Sequence, residues 1–227
     1  MATGIGAVEL IALGSPEDPR LVNHWVDQPE WRGGRRLWSF YLTFAEVDAV
    51  AEYAAAYQRQ LRGLSGLDLV ARRWLHLTVL GAAFVDAVDE SAVRGLAAAA
   101  IRIAEEEPPL DVGVGPPRPV VDAVWMPVDT SRPLEGLRAR LSSAVVQCLG
   151  REPYALPLPP EGFRPHLTIG YATAEGPTYG QVEACISRAT PPPVTARVSA
   201  LSLVRLHREP NRWSWDDERR FALCGPE

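Results

Sequence analysis

The sequence contains no lysine: all 23 of its basic residues are arginine. A covalent lysyl-nucleotide intermediate, a Schiff base and a P-loop lysine are therefore excluded. ATP-dependent ligation through a lysine goes with them. Cysteine is scarce too. Cys148, Cys185 and Cys224 are odd in number, widely spaced and without a CxxC pair, which fits reduced thiols better than a disulfide framework. No apolar run approaches the roughly 20 residues of a membrane span. The stretch from Met1 to Gly14 has no basic n-region and is interrupted by Glu9, so it makes a poor signal peptide. A cytoplasmic protein without membrane association is expected. The net charge of −5 argues against a general duplex-binding surface, which would be basic. Local arginine clusters can still hold a phosphate or an RNA end.

The 227 residues, 47% of them apolar, suffice for one sizeable domain or two small lobes. Histidine is rare, with four in the chain, yet two of them share one phrase. Arg73 to Gly81 contains His76-Leu77-Thr78, and Phe163 to Tyr171 contains His166-Leu167-Thr168, with the histidines 90 positions apart. Both stretches read as strands. Strand side chains alternate between faces, so Leu75, Leu77 and Val79 point into a core, as do Leu167 and Ile169. Trp74, His76 and Thr78 share the other face, and His166 and Thr168 are their counterparts.

The surrounding order repeats. Trp38–Phe44 reads as a strand, with Thr43 and Glu46 in the spacing of a capping box. A helix follows with Val47, Val50, Ala51, Ala54, Tyr57 and Leu61 on one face, closed by Gly63 and Gly66. After the His76 strand come a helix over Glu90–Glu106, with Val93, Leu96, Ala97, Ala100, Ile101 and Ala104 inward, and a short strand over Leu110–Val114. The order then restarts. A strand over Val120–Val128 leads to a helix opened by Pro133 and striped by Leu134, Leu137, Leu141, Val145 and Leu149. A Pro-rich loop over 153–160, the His166 strand, a short helix near Gly180–Arg188, a long strand over Val194–Val204 and a last strand near Trp213–Leu223 complete the chain. The run Asp216–Arg220 reads as a solvated turn. Residues 15–36, rich in Pro, Gly and charge around His24, Trp25 and Trp31, read as an irregular segment that either covers a cleft or is packed down by its aromatics. The expected fold is α+β: two pseudo-symmetric lobes, about 37–115 and about 116–227, each an antiparallel sheet with helices on its outer face, flanking a central cleft. Together they form one bilobal domain over 37–227, preceded by 1–36.

An approximate two-fold axis relating the lobes would bring His76 and His166 face to face. Two imidazoles suit metal-free acid–base chemistry, one neutral and accepting a proton, the other protonated and donating one. Thr78 and Thr168 can donate to non-bridging phosphate oxygens between them. Zinc would require three or four clustered ligands, and neither motif supplies a neighbour at useful spacing, so no metal is expected. Parity adds Arg72 and Arg164 as candidates to bind a phosphate, Trp74 and Tyr171 as candidates to stack on a base, and Tyr41, which shares the polar face of the first strand with Ser39 and Thr43.

The paired His-x-Thr motifs, the preceding Phe163–Arg164–Pro165 and the duplicated order resemble the 2H phosphoesterase superfamily. The resemblance is to the bacterial 2′-5′ RNA ligase-like branch, also called RNA 2′,3′-cyclic phosphodiesterases, and covers roughly Leu37 to Leu223. It implies catalytic His76 and His166, phosphate-binding Thr78 and Thr168, no metal or nucleotide cofactor, and opening of a 2′,3′-cyclic phosphate on an RNA end or small nucleotide to a 2′-phosphate, in RNA processing. A monomer is expected. Residues 15–36 are additional to the minimal pattern of that family. Alternatives are the reverse reaction, a 2′-5′ RNA ligase, and a nucleotide- or RNA-end-binding module without turnover. A metal-dependent hydrolase is a further competitor.

Overall fold

The computed structural model describes residues 14–15, 17–130, 134–154 and 162–226. In chain order, a small hairpin of β1 (Gly14–Ser15) and β2 (Asp18–Pro19) and a 3-10 segment over Pro29–Gly34 precede β3 (Arg36–Thr43) and α1 (Asp48–Leu61). Then come β4 (Leu67–Leu69), β5 (His76–Phe84), α2 (Glu90–Glu106), β6 (Leu110–Val114), β7 (Arg118–Val120) and β8 (Ala123–Thr130). The remainder is α3 (Leu134–Leu149), β9 (His166–Ala172), α4 (Tyr179–Ile186), β10 (Val194–Val198), β11 (Ala200–Glu209) and β12 (Arg212–Ala222). Pro133 and most of the Pro-rich loop lie outside the described residues.

These elements build two antiparallel sheets, one ordered β12-β11-β3-β5 and the other β10-β6-β8-β9-β4, with β7 added alongside β8. The equivalence of β12-β11-β3-β5 and β10-β6-β8-β9 carries the expected pseudo-symmetry. The sheets are not consecutive halves of the chain, however. In each sheet the His-x-Thr strand pairs with the strand that opens its own half, β3 with β5 and β8 with β9. The far side of that opening strand is closed by a strand from the other half, β11 on β3 and β6 on β8. The expected division near residue 115 therefore does not describe the lobes. Nor does one strand run from Val194 to Val204: the chain breaks at Ser199, sending β10 to one sheet and β11 to the other.

The helices form where apolar spacing and caps agree. α2 starts at Asp89, whose carboxylate accepts the Ala92 N–H at 2.8 Å, and it buries Val93, Leu96, Ala100 and Ala104. Ile101, expected inward, is 46% exposed, because Ala99 and Ile103 complete the buried stripe instead. α1 has no side-chain cap. The capping box expected from Thr43 and Glu46 is absent because both residues are drawn to β12: Thr43 donates to Glu218 at 3.3 Å, and Glu46 pairs with Arg220. The same contacts correct the Asp216–Arg220 run. It belongs to β12, with Arg205 donating to Asp216 and Ser202 to Glu218, each at 2.7 Å. A register shift between Val204 and Leu206 accommodates it.

The segment before β3 is tied to both lobes. Backbone N–H groups of Leu21, Val22 and His24 donate to Pro177, Val121 and Ala172, all at 2.9 Å. Trp31 is buried against Phe84 and Trp213, and Arg35 donates two 2.7 Å bonds to Asp86. Its aromatics therefore pack it down, and in doing so make it a wall of the cleft described next.

Candidate active site

β5 is the edge strand of its sheet and packs against β9 of the other. Between them lies a cleft of about 290 Å³, and His76, Thr78, His166 and Thr168 all line it. The core sides of these strands behave as parity demands, with Leu75, Leu77, Val79, Leu167 and Ile169 buried.

The two histidines are held alike. His76 Nδ1 donates to the carbonyl of Trp74 at 2.7 Å, and His166 Nδ1 to the carbonyl of Arg164 at 2.8 Å. A carbonyl only accepts, so this partner assigns the proton to Nδ1 and leaves the Nε2 lone pair of each neutral ring for the cleft. Each ring also lies flat on an aromatic from the neighbouring strand. Tyr41 on β3 stacks on His76 with centroids 4.2 Å apart and planes at 11°, and Trp125 on β8 stacks on His166 at 3.7 Å and 13°. The register explains the match: Tyr41 is the cross-strand partner of Thr78, and Trp125 that of Thr168. With a carbonyl behind and a ring beneath, neither imidazole needs to reorganise during a reaction.

Electrostatics set the two apart. Burial pushes the His76 imidazole down to about 4, against a smaller opposing effect of the Trp74 carbonyl, and the nearby His166 pushes the same way as burial. His166 is also lowered by burial, but the Arg164 carbonyl and the charge of Asp122 oppose the shift. The depression is therefore the larger at His76. A tyrosine accompanies each threonine in the cleft lining: Tyr41 is the cross-strand partner of Thr78, and Tyr171 follows Thr168 by three residues on β9.

Tyr41, Tyr171 and Arg164 also line the cleft, Arg164 from an exposed position. Two expected residues do not. Arg72 is drawn out of reach by Asp48 and by the Ala45 carbonyl, to which it donates at 2.9 Å. Trp74 is part of a 3-10 turn over Arg72–Trp74 that delays the start of β5 to His76, so parity does not extend back to it. It packs on Trp215 and lines an adjoining pocket instead. Sequence reasoning missed Trp125, Arg138, Asp122 and His24. The duplication contained the signal for Trp125, since applying to β8 the parity that selects Tyr41 on β3 selects Trp125. His24 lies in the wall with both nitrogens engaged, Nδ1 with Asp122 at 2.9 Å and Nε2 accepting the Trp213 indole N–H at 2.8 Å. Among the described residues, no three His, Cys, Asp or Glu side chains gather as a metal-binding group. No described helix is long and apolar enough to cross a membrane.

Two antiparallel sheets related by a pseudo-two-fold, each offering a His-x-Thr strand to one cleft, define the architecture of a 2H phosphoesterase. The family comparison agrees: the model of the 2′-5′ RNA ligase superfamily matches residues 28–210, and the chain belongs to that superfamily. Solved structures share the fold. The Thermus thermophilus protein TT0787 is 20% identical, with a TM-score of 0.64 over 84% of this chain and 100% of its own. E. coli LigT complexed with 3′-AMP is 18% identical, with a TM-score of 0.56 over 84% of this chain and 99% of its own. The NADP+ complex of LigT is 19% identical, with a TM-score of 0.55 over the same shares. No curated protein sequence matches the chain.

Proposed function

We propose that this protein is a metal-independent phosphoesterase of the cytoplasm that opens 2′,3′-cyclic phosphates, acting as a monomeric bilobal unit. One observation carries the reading: two imidazoles, each fixed through Nδ1 and stacked on an aromatic, line one cleft with Nε2 uncommitted. A binding module has no use for two such groups. Membership of a superfamily of phosphoesterases and ligases supports it, as does the binding of 3′-AMP by LigT.

In the proposed reaction the neutral His76 takes a proton from water as its oxygen attacks phosphorus. The bond from phosphorus to the ribose O3′ breaks, and His166 delivers its proton to that oxygen, leaving a 2′-phosphate. Thr78 and Thr168 hold the non-bridging oxygens. His76 serves as base because it is the more resistant to protonation, and His166 as acid because Asp122 favours its charged form. Residues 17–36 line this cleft through His24, Gln28, Glu30 and Trp31 and should limit the access of long RNA more than that of mononucleotides. Turnover of a 2′,3′-cyclic nucleotide should continue undiminished after dialysis against EDTA. Loss of activity that zinc or manganese restores would overturn the metal-free mechanism.

A second reading, 2′-5′ ligation, is favoured by the adjoining pocket of about 230 Å³, which shares His76, Tyr171 and Trp213 with the cleft and offers room for a second RNA end. The 5′-hydroxyl of that end would replace water, with the same base and acid running the exchange. Chromatography of the products separates a 2′-phosphate from a 2′-5′ linkage.

The pKa directions also set the pH dependence. The profile of kcat/KM reports the free protein, whose productive form carries one proton on the pair. As pH falls toward about 4, His76 is protonated and the base is lost. As pH rises through the lowered His166 value, the acid is lost. The optimum of kcat/KM should therefore lie below the ordinary imidazole value of about 6.5, with limbs that belong to the pair. An anionic phosphate in the cleft favours imidazolium, so the optimum of kcat should lie at higher pH. A kcat/KM optimum at or above pH 7 would contradict the depressed histidines.

A further inference from the structure

Among the described residues, the Nε2 atoms of the two histidines are not the only polar atoms of the cleft without a hydrogen bond. Arg138, on the second turn of α3, lines it with its guanidinium over the Phe163 ring, 5.3 Å from the centroid. It is half-buried, and among the described residues no carboxylate pairs with it. Its neighbour on the same helix, Arg140, reaches Glu106 and Glu107 instead. The carboxylates that line the cleft are engaged elsewhere: Asp122 meets His24 at 2.9 Å, and Glu30 accepts the Tyr154 hydroxyl at 3.4 Å. Arg138 thus places a permanent positive charge in the cleft, on a planar fork suited to two oxygens of one phosphate. The ring beneath limits its freedom, so less entropy is lost when an anion binds.

This charge is offset from the reacting centre. Phe163 precedes His166 by three residues, a separation of at most about 11 Å in extended chain, comparable with the span of one nucleotide. On an RNA end that carries a terminal cyclic phosphate, the next phosphate available is the phosphodiester on the 5′ side of the same nucleoside.

We propose that Arg138 binds that 5′-side phosphate, which makes an oligonucleotide end, and not a mononucleoside cyclic phosphate, the preferred substrate. The inference rests on the function proposed above, and its test is chosen to be read without turnover. Binding of adenosine 3′-monophosphate and adenosine 3′,5′-bisphosphate to the full chain is measured by calorimetry for the wild type, Arg138→Gln and Arg138→Lys. The wild type should bind the bisphosphate at least about ten-fold more tightly, the worth of a charge-assisted bidentate contact. Arg138→Gln should lose that preference while its affinity for the monophosphate stays the same. Arg138→Lys, which keeps the charge without the fork, should retain part of it. A bisphosphate preference undiminished in the variants would overturn the assignment. So would an equal loss of affinity for both ligands, because Arg138 would then serve the reacting phosphate or the fold. Should Arg138→Gln fail to fold, the lysine variant alone decides between these outcomes. Absence of turnover on any cyclic phosphate, with the bisphosphate preference intact and dependent on Arg138, would count against the proposed reaction and in favour of this site.

Discussion

Alanine in place of either His76 or His166 is expected to reduce kcat/KM at least about 100-fold, with the fold retained. Each imidazole lies on the cleft face of its strand and makes one hydrogen bond through Nδ1, so its removal leaves the Leu77 and Leu167 side of the strand in place. The two losses should not multiply. Base and acid act in one transition state, and once one is gone the other has little left to assist. The double variant should accordingly be far less impaired than the product of the single effects. The pH profile adds a sharper distinction. With His76 as base, His76→Ala should lose the acidic limb and keep the alkaline one, and His166→Ala should do the reverse. Interchanged limbs would exchange the roles. Full activity of His76→Ala with an unchanged profile would reduce that residue to a packing histidine and end the two-histidine mechanism.

Thr168→Val and Thr78→Val should each slow turnover by roughly 10- to 1,000-fold, the range for losing a donor aimed at developing charge. The two sites differ in what else they lose. Thr168 is buried, so valine there exchanges a hydroxyl for a methyl group inside the packed core and should change stability as well as rate. Thr78 is half-buried beside Tyr41, where the change in stability should be smaller. Thr168→Ser keeps the hydroxyl and should recover both rate and stability. Melting curves separate the two effects. Full rates in both valine variants would make the hydroxyls structural.

Much of this site is legible in the amino-acid order, and the reason is geometric. Side chains two apart on a strand share a face whatever the strand pairs with, so His76 with Thr78 and His166 with Thr168 follow from their spacing alone. The same rule places Leu77, Leu167 and Ile169 in the core. The bounds of α2 and β6 are legible, because an apolar run stopped by Pro108–Pro109 is a local signal. Where tertiary contacts override local signals, the expectations fail. Arg72 and Trp74 have the right parity only if β5 begins earlier than the 3-10 turn allows, and the capping residues of α1 are claimed by β12.

What the sequence determined by itself is therefore the duplicated chemistry, since repeated residue types at strand spacing are a property of the chain. The tertiary structure alone decided three things. It exchanged β6 and β11 between the halves, because backbone pairing partners leave no mark in side-chain pattern. It brought Arg138 from α3 to the cleft while Arg72 was led away. It lowered both histidines, because desolvation depends on what packs above and beneath a ring, and here those are residues distant in sequence.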